Sequence, residues 1–566
     1  MLPAKEHKFA KRVRAQAETD SCDRDIIGGL KGGNLKHMAI KQSRFALDGA
    51  WPAACAVTAL LGFSLALSSC GAPASPPVAT VDVNAQLPGA RIPKGFAGFS
   101  NEVSTAGMGL PTPTAEAQGT LSRPAGVPSD AELAYVLGEP GAPNTGFFTF
   151  MRNLGPGVLR LGGNSQDNTC WDPRAAPHPA WCHGPITPGL LKLYSTAVGA
   201  AGWKMILGLN LKQNSPRWAL GEVTQGVAKE IPADQILGFE LGNEPSLFAR
   251  PPFRPKDYSP EDYVRDALGY IHAFRSNRVA RQYSFVAPAD CCQWNNPRDL
   301  GIILKGIGRF LKLVSIHNYT TTTCGHRNVT VAQLLSPERM KKFNGLSKEL
   351  AAVAHTDHLP IALAETNSAS CGGMAGVSNA FASAVWGLNY MFNVARDGYT
   401  NINFHFSYRT GGSAYNPVVT FGWKNGKSME YHNVAQPLYY ALYFFAKNAS
   451  GERFLPASVT TQSNISAFST TACATCAIHV FVINEDLKAS GRVEVHLTGR
   501  AGAGSLLMLA APSLGSLAEG VRYGGQQFDS DGSIGAPETT PVARGAKGDY
   551  SFELPNASVA LLSIAR

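Results

Sequence analysis

The chain has 566 residues, 44% of them hydrophobic and 16% charged, a balance that builds a core and excludes an intrinsically disordered chain. Its formal charge of +9 gathers at the start, where residues 1–70 hold ten Lys/Arg against six Asp/Glu and leave +5 for the remainder. That remainder has no Lys/Arg block interleaved with aromatics, which excludes a nucleic-acid partner, while its modest positive excess suits an acidic polymer.

Residues 1–37 read as a leader or a mis-assigned start ahead of Met38. Residues 38–70 read as a signal peptide. Lys41 and Arg44 precede an apolar, small-residue stretch from Ala53 to Ser69 that is too short for a comfortable membrane span. It ends in Leu67-Ser68-Ser69-Cys70-Gly71, which resembles the lipobox of bacterial lipoproteins. That resemblance implies lipidation of Cys70, anchoring to a membrane, and residence in the envelope, at the outer membrane or facing the periplasm. A proline-rich tether occupies residues 71–77.

Val78 to Val83 reads as a strand, and residues 78–90 are assigned with it to a sandwich formed mainly further on. Eight compact apolar segments then alternate with helical stretches: Phe96–Phe99, Val158–Gly162, Met205–Leu209, Ile236–Gly242, Ser284–Ala287, Leu313–Ile316, Ile361–Ala364 and Ile402–Phe406. One helix opens at Ser259-Pro260-Glu261-Asp262, with an N-cap, a proline in the first turn and acids at the positive end. Its apolar face runs through Val264, Ala267, Leu268, Ile271 and Phe274. Eight such units predict an α/β fold, a (β/α)8 TIM barrel over 91–450. Beyond Gly451 the strands Ile478–Val482, Val493–Leu497 and Val559–Leu562 are separated by turns alone, which predicts an antiparallel β-sandwich over 451–566 joined by the N-terminal strand. Export permits disulfides. Cys170 and Cys182 bracket a proline-rich loop and are expected to pair, and Cys473-Ala474-Thr475-Cys476 is expected as a local turn disulfide, a lone CxxC being weak evidence for zinc.

Two of the apolar segments run straight into glutamates, Gly238-Phe239-Glu240-Leu241-Gly242-Asn243-Glu244-Pro245 and Ile361-Ala362-Leu363-Ala364-Glu365-Thr366. Carboxylates at the C-terminal ends of barrel strands sit where barrel enzymes keep their chemistry. A separation of 121 residues places Glu244 after strand four and Glu365 on strand seven, facing across the mouth. Retaining glycoside hydrolysis needs such a pair, one as nucleophile and one as acid/base. Asn243-Glu244-Pro245 suits the acid/base, with Asn243 donating to a sugar 2-hydroxyl; Glu365 suits the nucleophile. Glu240, inside the apolar run, is expected to be a buried, paired structural carboxylate.

Gly238 to Phe248, Ala362 to Gly373 and Leu159-Arg160-Leu161-Gly162-Gly163-Asn164 together resemble glycoside hydrolase family 79, the β-glucuronidases and heparanases of clan A. The resemblance runs from about residue 78 to the C-terminus and implies Glu244 as acid/base and Glu365 as nucleophile. It further implies Tyr319, after Ile316-His317-Asn318, as a donor to the nucleophile. Gly372 and Gly373 would bind the uronic carboxylate through their backbone, with Tyr415 beside them, and Asn164 would meet sugar hydroxyls. Cys371 departs from the family pattern, and a pairing with Cys324 is expected. The implied activity is exo-acting release of β-linked glucuronic acid from glycoconjugates or an acidic polysaccharide, with no cofactor and no metal. Two other readings stay open: an endo-acting, heparanase-like hydrolase using basic residues such as Lys212, Arg250 and Arg254, and a non-catalytic glycan-binding lipoprotein.

Overall fold

The computed structural model describes residues 76–103, 124–129, 131–172, 178–407, 414–499 and 501–566. Residues 1–37, the signal segment with Cys70, and residues 71–75 of the tether lie outside the described residues. Strand β1 (Ala79–Asn84) precedes eight parallel strands that close into a barrel: β2 (Ala97–Glu102), β3 (Val158–Gly162), β4 (Lys204–Leu209), β5 (Ile236–Leu241), β6 (Phe285–Asp290), β7 (Leu311–His317), β8 (Ile361–Thr366) and β9 (Asn401–His405), which returns to β2. Every one of the eight apolar segments supplies a barrel strand. This is the (β/α)8 fold expected from the sequence.

The helices after successive strands are α1 (Thr145–Asn153), α2 (Pro188–Ala201), α3 (Pro216–Glu222), α4 (Pro260–Arg275), α5 (Pro297–Ile307), α6 (Pro337–Thr356), α7 (Phe381–Arg396) and α8 (Pro437–Asn448). Six of them open on proline, whose fixed φ and missing N–H cost nothing in the first turn. Ser259 and Asp262 form a complete capping box on α4. The buried face of α4 is Tyr263, Ala267, Tyr270, Ile271 and Phe274, with Val264 and Leu268 only partly covered at its edge. Tyrosines centre the face because their hydroxyls find acceptors inside, Tyr263 at Leu241 O (3.1 Å) and Tyr270 at Asn210 O (2.8 Å).

A hairpin, β10 (Val418–Asn425) and β11 (Ser428–Ala435), follows the last barrel strand and was not foreseen. It packs Val419 and Phe421 on Val127, Ala131 and Leu133, far upstream in the chain. The sandwich pairs one sheet, β13 (Ala457–Thr461), β1, β16 (Gly491–Thr498) and β20 (Tyr550–Leu554), with a second. That second sheet runs β12 (Arg453–Leu455), β14 (Ile465–Thr471), β15 (Ile478–Asn484), β21 (Ser558–Ile564), β17 (Gly504–Ala510) and β18 (Arg522–Tyr523), with β19 (Thr540–Val542) also on β17. The expectation of purely antiparallel sheets is corrected at one place. Strand β1 lies antiparallel to β13 but parallel to β16, with Val81 opposite both Val459 and Val495. It enters from the other end of the chain, so no hairpin fixes its direction. Ala79, Val81 and Val83 still alternate into the sandwich core.

Candidate active site

Strand β5 ends at Leu241, and Gly242 turns the chain with φ 82°, a spot where a Cβ would stand 2.9 Å from that of Leu211. Glu244 follows in the left-handed region at φ 51°, ψ 56°. For a non-glycine residue this costs on the order of 1–3 kcal/mol and persists only where the surroundings dictate it. Here the Glu244 N–H donates to Ala289 O on β6 (2.9 Å) and its carbonyl accepts from Leu247 N (2.9 Å). Glu365 needs no such device, since it lies within β8, opposite His317 of β7. One carboxylate oxygen of each glutamate and a ring nitrogen of His317 fall within 4.8 Å of one another.

The surroundings separate the two carboxyls. Burial pushes the Glu244 pKa well above the carboxylate range, and the charges of Glu365 and Asp290 push the same way. Its Oε1 lies 3.1 Å from Nδ1 of His317, whose own pKa burial lowers to about 4, so this imidazole is neutral near pH 7. Burial works against the Glu365 charge as well, but His405, Arg160 and a hydrogen bond from Tyr319 outweigh it and hold Glu365 far below the usual range. Tyr319 donates its hydroxyl to Oε1 (2.8 Å), and Arg160 Nη1 donates to Oε2. His405 Nδ1 stands 3.6 Å from Oε2; burial lowers its pKa, and the Glu365 and Glu102 carboxylates more than reverse this.

Arg160 organises the floor. Fully buried on β3, it also donates to Glu240 (2.7 Å), to Ser100 (3.2 Å) and to Asn243 Oδ1 (2.8 Å). Glu240 is thus the buried, paired carboxylate expected of it. Because Arg160 takes the Asn243 carbonyl, Nδ2 of that amide turns outward and reaches Oδ1 of the exposed Asn164 (3.3 Å). Asp167 braces the same corner, accepting from the backbone N–H of Leu211, Lys212 and Asn243; burial raises its pKa to about 6. The two carboxylates and His317 are donor types that a metal accepts, yet both Glu365 oxygens already receive hydrogens and a guanidinium sits on one of them. The set fits proton transfer better than cation binding.

Gly372 and Gly373 have φ of 95° and 84°, after Cys371 at 64°. A Cβ on Gly373 would meet Tyr415 Cβ at 2.9 Å and Ser378 Oγ at 2.8 Å, and Tyr415 N donates to Gly372 O (3.4 Å). The glycine loop and Tyr415 therefore touch each other. They reach the glutamates through Tyr319, whose ring stacks on Tyr415 at 6.5 Å. Asn164, Asn243, Glu244, Tyr319 and Glu365 stand together, with Gly372, Gly373 and Tyr415 on the adjoining wall. Cys70 lies outside the described residues. Among the described residues, disulfides join Cys170 to Cys182, Cys324 to Cys371 and Cys473 to Cys476, and a fourth, not anticipated, joins the neighbours Cys291 and Cys292.

The chain resembles glycosidases in sequence and in fold. It is similar to fungal β-glucuronidases. It is 26% identical over 304 residues to the one from Aspergillus niger, covering 49% of this chain and 56% of the relative. To the one from Neurospora crassa it is 25% identical over 341 residues, covering 53% and 59%. The chain thus spans little more than half the length of these relatives. No family model matches. Among solved structures, a Fusarium oxysporum 4-O-α-L-rhamnosyl-β-D-glucuronidase superposes with TM-score 0.63 at 18% identity, covering 86% of this chain and all of that one. A family 51 arabinofuranosidase from Xanthomonas axonopodis gives 0.60 at 12%, covering 86% and 100%. These structural likenesses show the shared barrel-and-sandwich fold.

Arg160, His317, His405, Glu102 and Asp167 had no role in the sequence reading. Arg160 carried a signal, a lone charge inside the apolar run Val158-Leu159-Arg160-Leu161, the same signal that marked Glu240. The histidines end their strands without one.

Proposed function

We propose that this protein is an exported, lipid-anchored, exo-acting retaining β-glucuronidase. The observation that carries the reading is the pair Glu244 and Glu365, oxygens within 4.8 Å, in surroundings that push the pKa of Glu244 up and that of Glu365 down. Retaining enzymes place their carboxyls about 5–5.5 Å apart, whereas inverting ones leave about 6.5–9.5 Å for a water. Glu365 attacks the anomeric carbon while Glu244 gives its proton to the departing oxygen. The glycosyl ester that forms has no negative charge on Glu365, so one of the causes raising Glu244 disappears. Glu244 then ionises more readily and takes a proton from the water that frees the sugar. Tyr319 and Arg160 aim the nucleophile, and the outward Nδ2 of Asn243 suits the 2-hydroxyl.

The uronate reading draws on the glycine loop and Tyr415, since backbone without Cβ atoms lets an anion approach its amides, and on the similarity to fungal β-glucuronidases. Exo action is favoured over a heparanase-like endo action by the state of the basic residues. Arg254 is bound to Asp266 (2.8 Å) and to the carbonyls of Leu211 and Lys212, and Lys212 lies over the Phe253 ring (4.3 Å). The cleft of about 690 Å³ that they line also contains Asp257, Asp262 and Asp266, which balance Lys212, Arg254 and Arg265. Such a surface carries no net positive charge to draw a sulfated chain. Anchoring through Cys70 rests on the lipobox-like ending of the signal segment.

Turnover of 4-nitrophenyl β-D-glucuronide beside the β-D-glucoside and β-D-xyloside tests the proposal. Selective release from the glucuronide that disappears in Glu365→Gln is expected. Equal release from the glucoside would remove the uronate specificity, and no release from any of them would overturn the proposal.

A further inference from the structure

Strand β6 ends at Asp290, and the next two residues are the bonded pair Cys291 and Cys292. Both are half-buried, and their sulfurs lie within 4.8 Å of a Glu244 carboxylate oxygen and of each other. Glu365 is not part of this grouping; it shares the other one, with Glu244 and His317. The sulfurs therefore accompany the carboxyl that protonates the departing oxygen, not the one that attacks carbon.

The pair is held firmly. Asp290 accepts from Cys292 N (3.1 Å) and Trp294 N (3.2 Å) with one oxygen, and from Ser246 N (3.0 Å), two residues past Glu244, with the other. Asn295 Nδ2 donates to His317 O on β7 (2.9 Å), and buried Trp294 packs behind against Tyr258 and Tyr263. One carboxylate thus fastens the disulfide and the Glu244 turn to each other. A bonded pair of adjacent cysteines offers no thiol hydrogen and no flexible side chain, only two polarisable sulfurs on a rigid ring. Such a surface is poor at binding hydroxyls and good at receiving the apolar face of another ring.

The geometry points to the Cys291–Cys292 disulfide as the contact surface of the leaving-group subsite, receiving the apolar face of an aryl or pyranose aglycone. The inference rests on Glu244 being the acid/base. It makes the disulfide a determinant of aglycone preference, positioned in advance so that little ordering is needed when the leaving group binds.

The test compares kcat/KM for 4-nitrophenyl β-D-glucuronide, for a glucuronyl disaccharide and for β-D-glucuronyl fluoride, whose leaving group is one atom and has no ring to place. Ratios to the fluoride are used because they do not depend on the fraction of folded protein. In the Cys291→Ser/Cys292→Ser variant the ratio for a ring-bearing substrate falls by roughly threefold to tenfold, mostly through KM, as expected for losing a sulfur–ring contact. A fall for the nitrophenyl substrate alone assigns the surface to aryl aglycones, and a fall for the disaccharide alone to sugars. Mild phosphine reduction of the wild-type protein produces the same fall, reverses on reoxidation, and leaves the ratio of the double variant where it was. Unaltered ratios in variant and reduced protein alike would overturn the inference. Failure of the underlying reading looks different, since the wild-type protein would then turn over none of the three substrates and both proposals would go.

Discussion

Glu244 and Glu365 are the same side chain with pKa values pushed in opposite directions, and the difference lies in their neighbours. Glu365 receives a guanidinium and a phenol, while Glu244 has a neutral imidazole and faces the charges of Glu365 and Asp290. The pH dependence follows with its sign. In the proposed mechanism Glu244 acts protonated and its pKa is raised, so the alkaline limb of activity lies above the ordinary carboxylate range and activity falls as pH rises through that pKa. Glu365 works ionised and its pKa is depressed, so the acid limb it causes lies below the ordinary carboxylate range. A pH profile of kcat/KM checks both limbs. Tyr319→Phe removes a hydrogen bond to a charged group, worth about 1.5–3 kcal/mol, and lowers kcat roughly tenfold to a hundredfold. Steady-state kinetics on the glucuronide reads this directly, and an unchanged kcat would contradict the role of Tyr319.

At the scale of elements, the wall beside the glutamates depends on a backbone that only glycine tolerates. Gly373→Ala forces a Cβ into Tyr415 and Ser378 at a left-handed φ. KM for the glucuronide is expected to rise at least severalfold, with far-ultraviolet circular dichroism unaltered; unchanged kinetics would separate this loop from the substrate. The barrel strands were legible in the sequence because each is a compact apolar run, and five of the eight helices because Ser-Pro, Thr-Pro or Asn-Pro announces their first turn. Hairpin β10–β11 was hidden because the residues that bury it, Val127, Ala131 and Leu133, lie nearly three hundred positions upstream. What Arg160, His317 and His405 bind was hidden for a related reason. Their meaning comes from what faces them across a closed barrel, and sequence spacing records neighbours along a strand, not across a ring. The parallel setting of β1 against β16 is non-local in the same way.

Barrel and sandwich meet on α7, which is buried from Phe381 to Ala395. Phe392 stacks on Phe468 (4.6 Å) and approaches Phe481 (4.7 Å). Phe392→Ala is expected to cost about 3–5 kcal/mol, visible as a lower unfolding midpoint in denaturant. Asn389 on the same helix donates to Glu485 (2.6 Å), whose pKa burial raises to about 7. A carboxyl neutral in the fold and ionised when unfolded stabilises fully below its unfolded pKa, and that contribution disappears as pH rises through the folded value. Stability therefore declines between about pH 4.5 and 7 on account of this group. Glu222, raised by burial to about 8, extends the decline. Glu485→Gln keeps a neutral side chain at the joint and flattens the pH dependence of the thermal midpoint; a parallel, merely displaced curve would contradict the assignment.

For the molecule as a whole, one experiment reaches the central claim, that Glu365 forms a covalent intermediate which Glu244 helps to resolve. Proton NMR of the first glucuronic acid released from a β-glucuronide, recorded before mutarotation, shows which anomer appears. Two displacements predict the β-anomer first, followed by slow appearance of the α-anomer. Initial release of the α-anomer would mean a single displacement by water and would contradict the account.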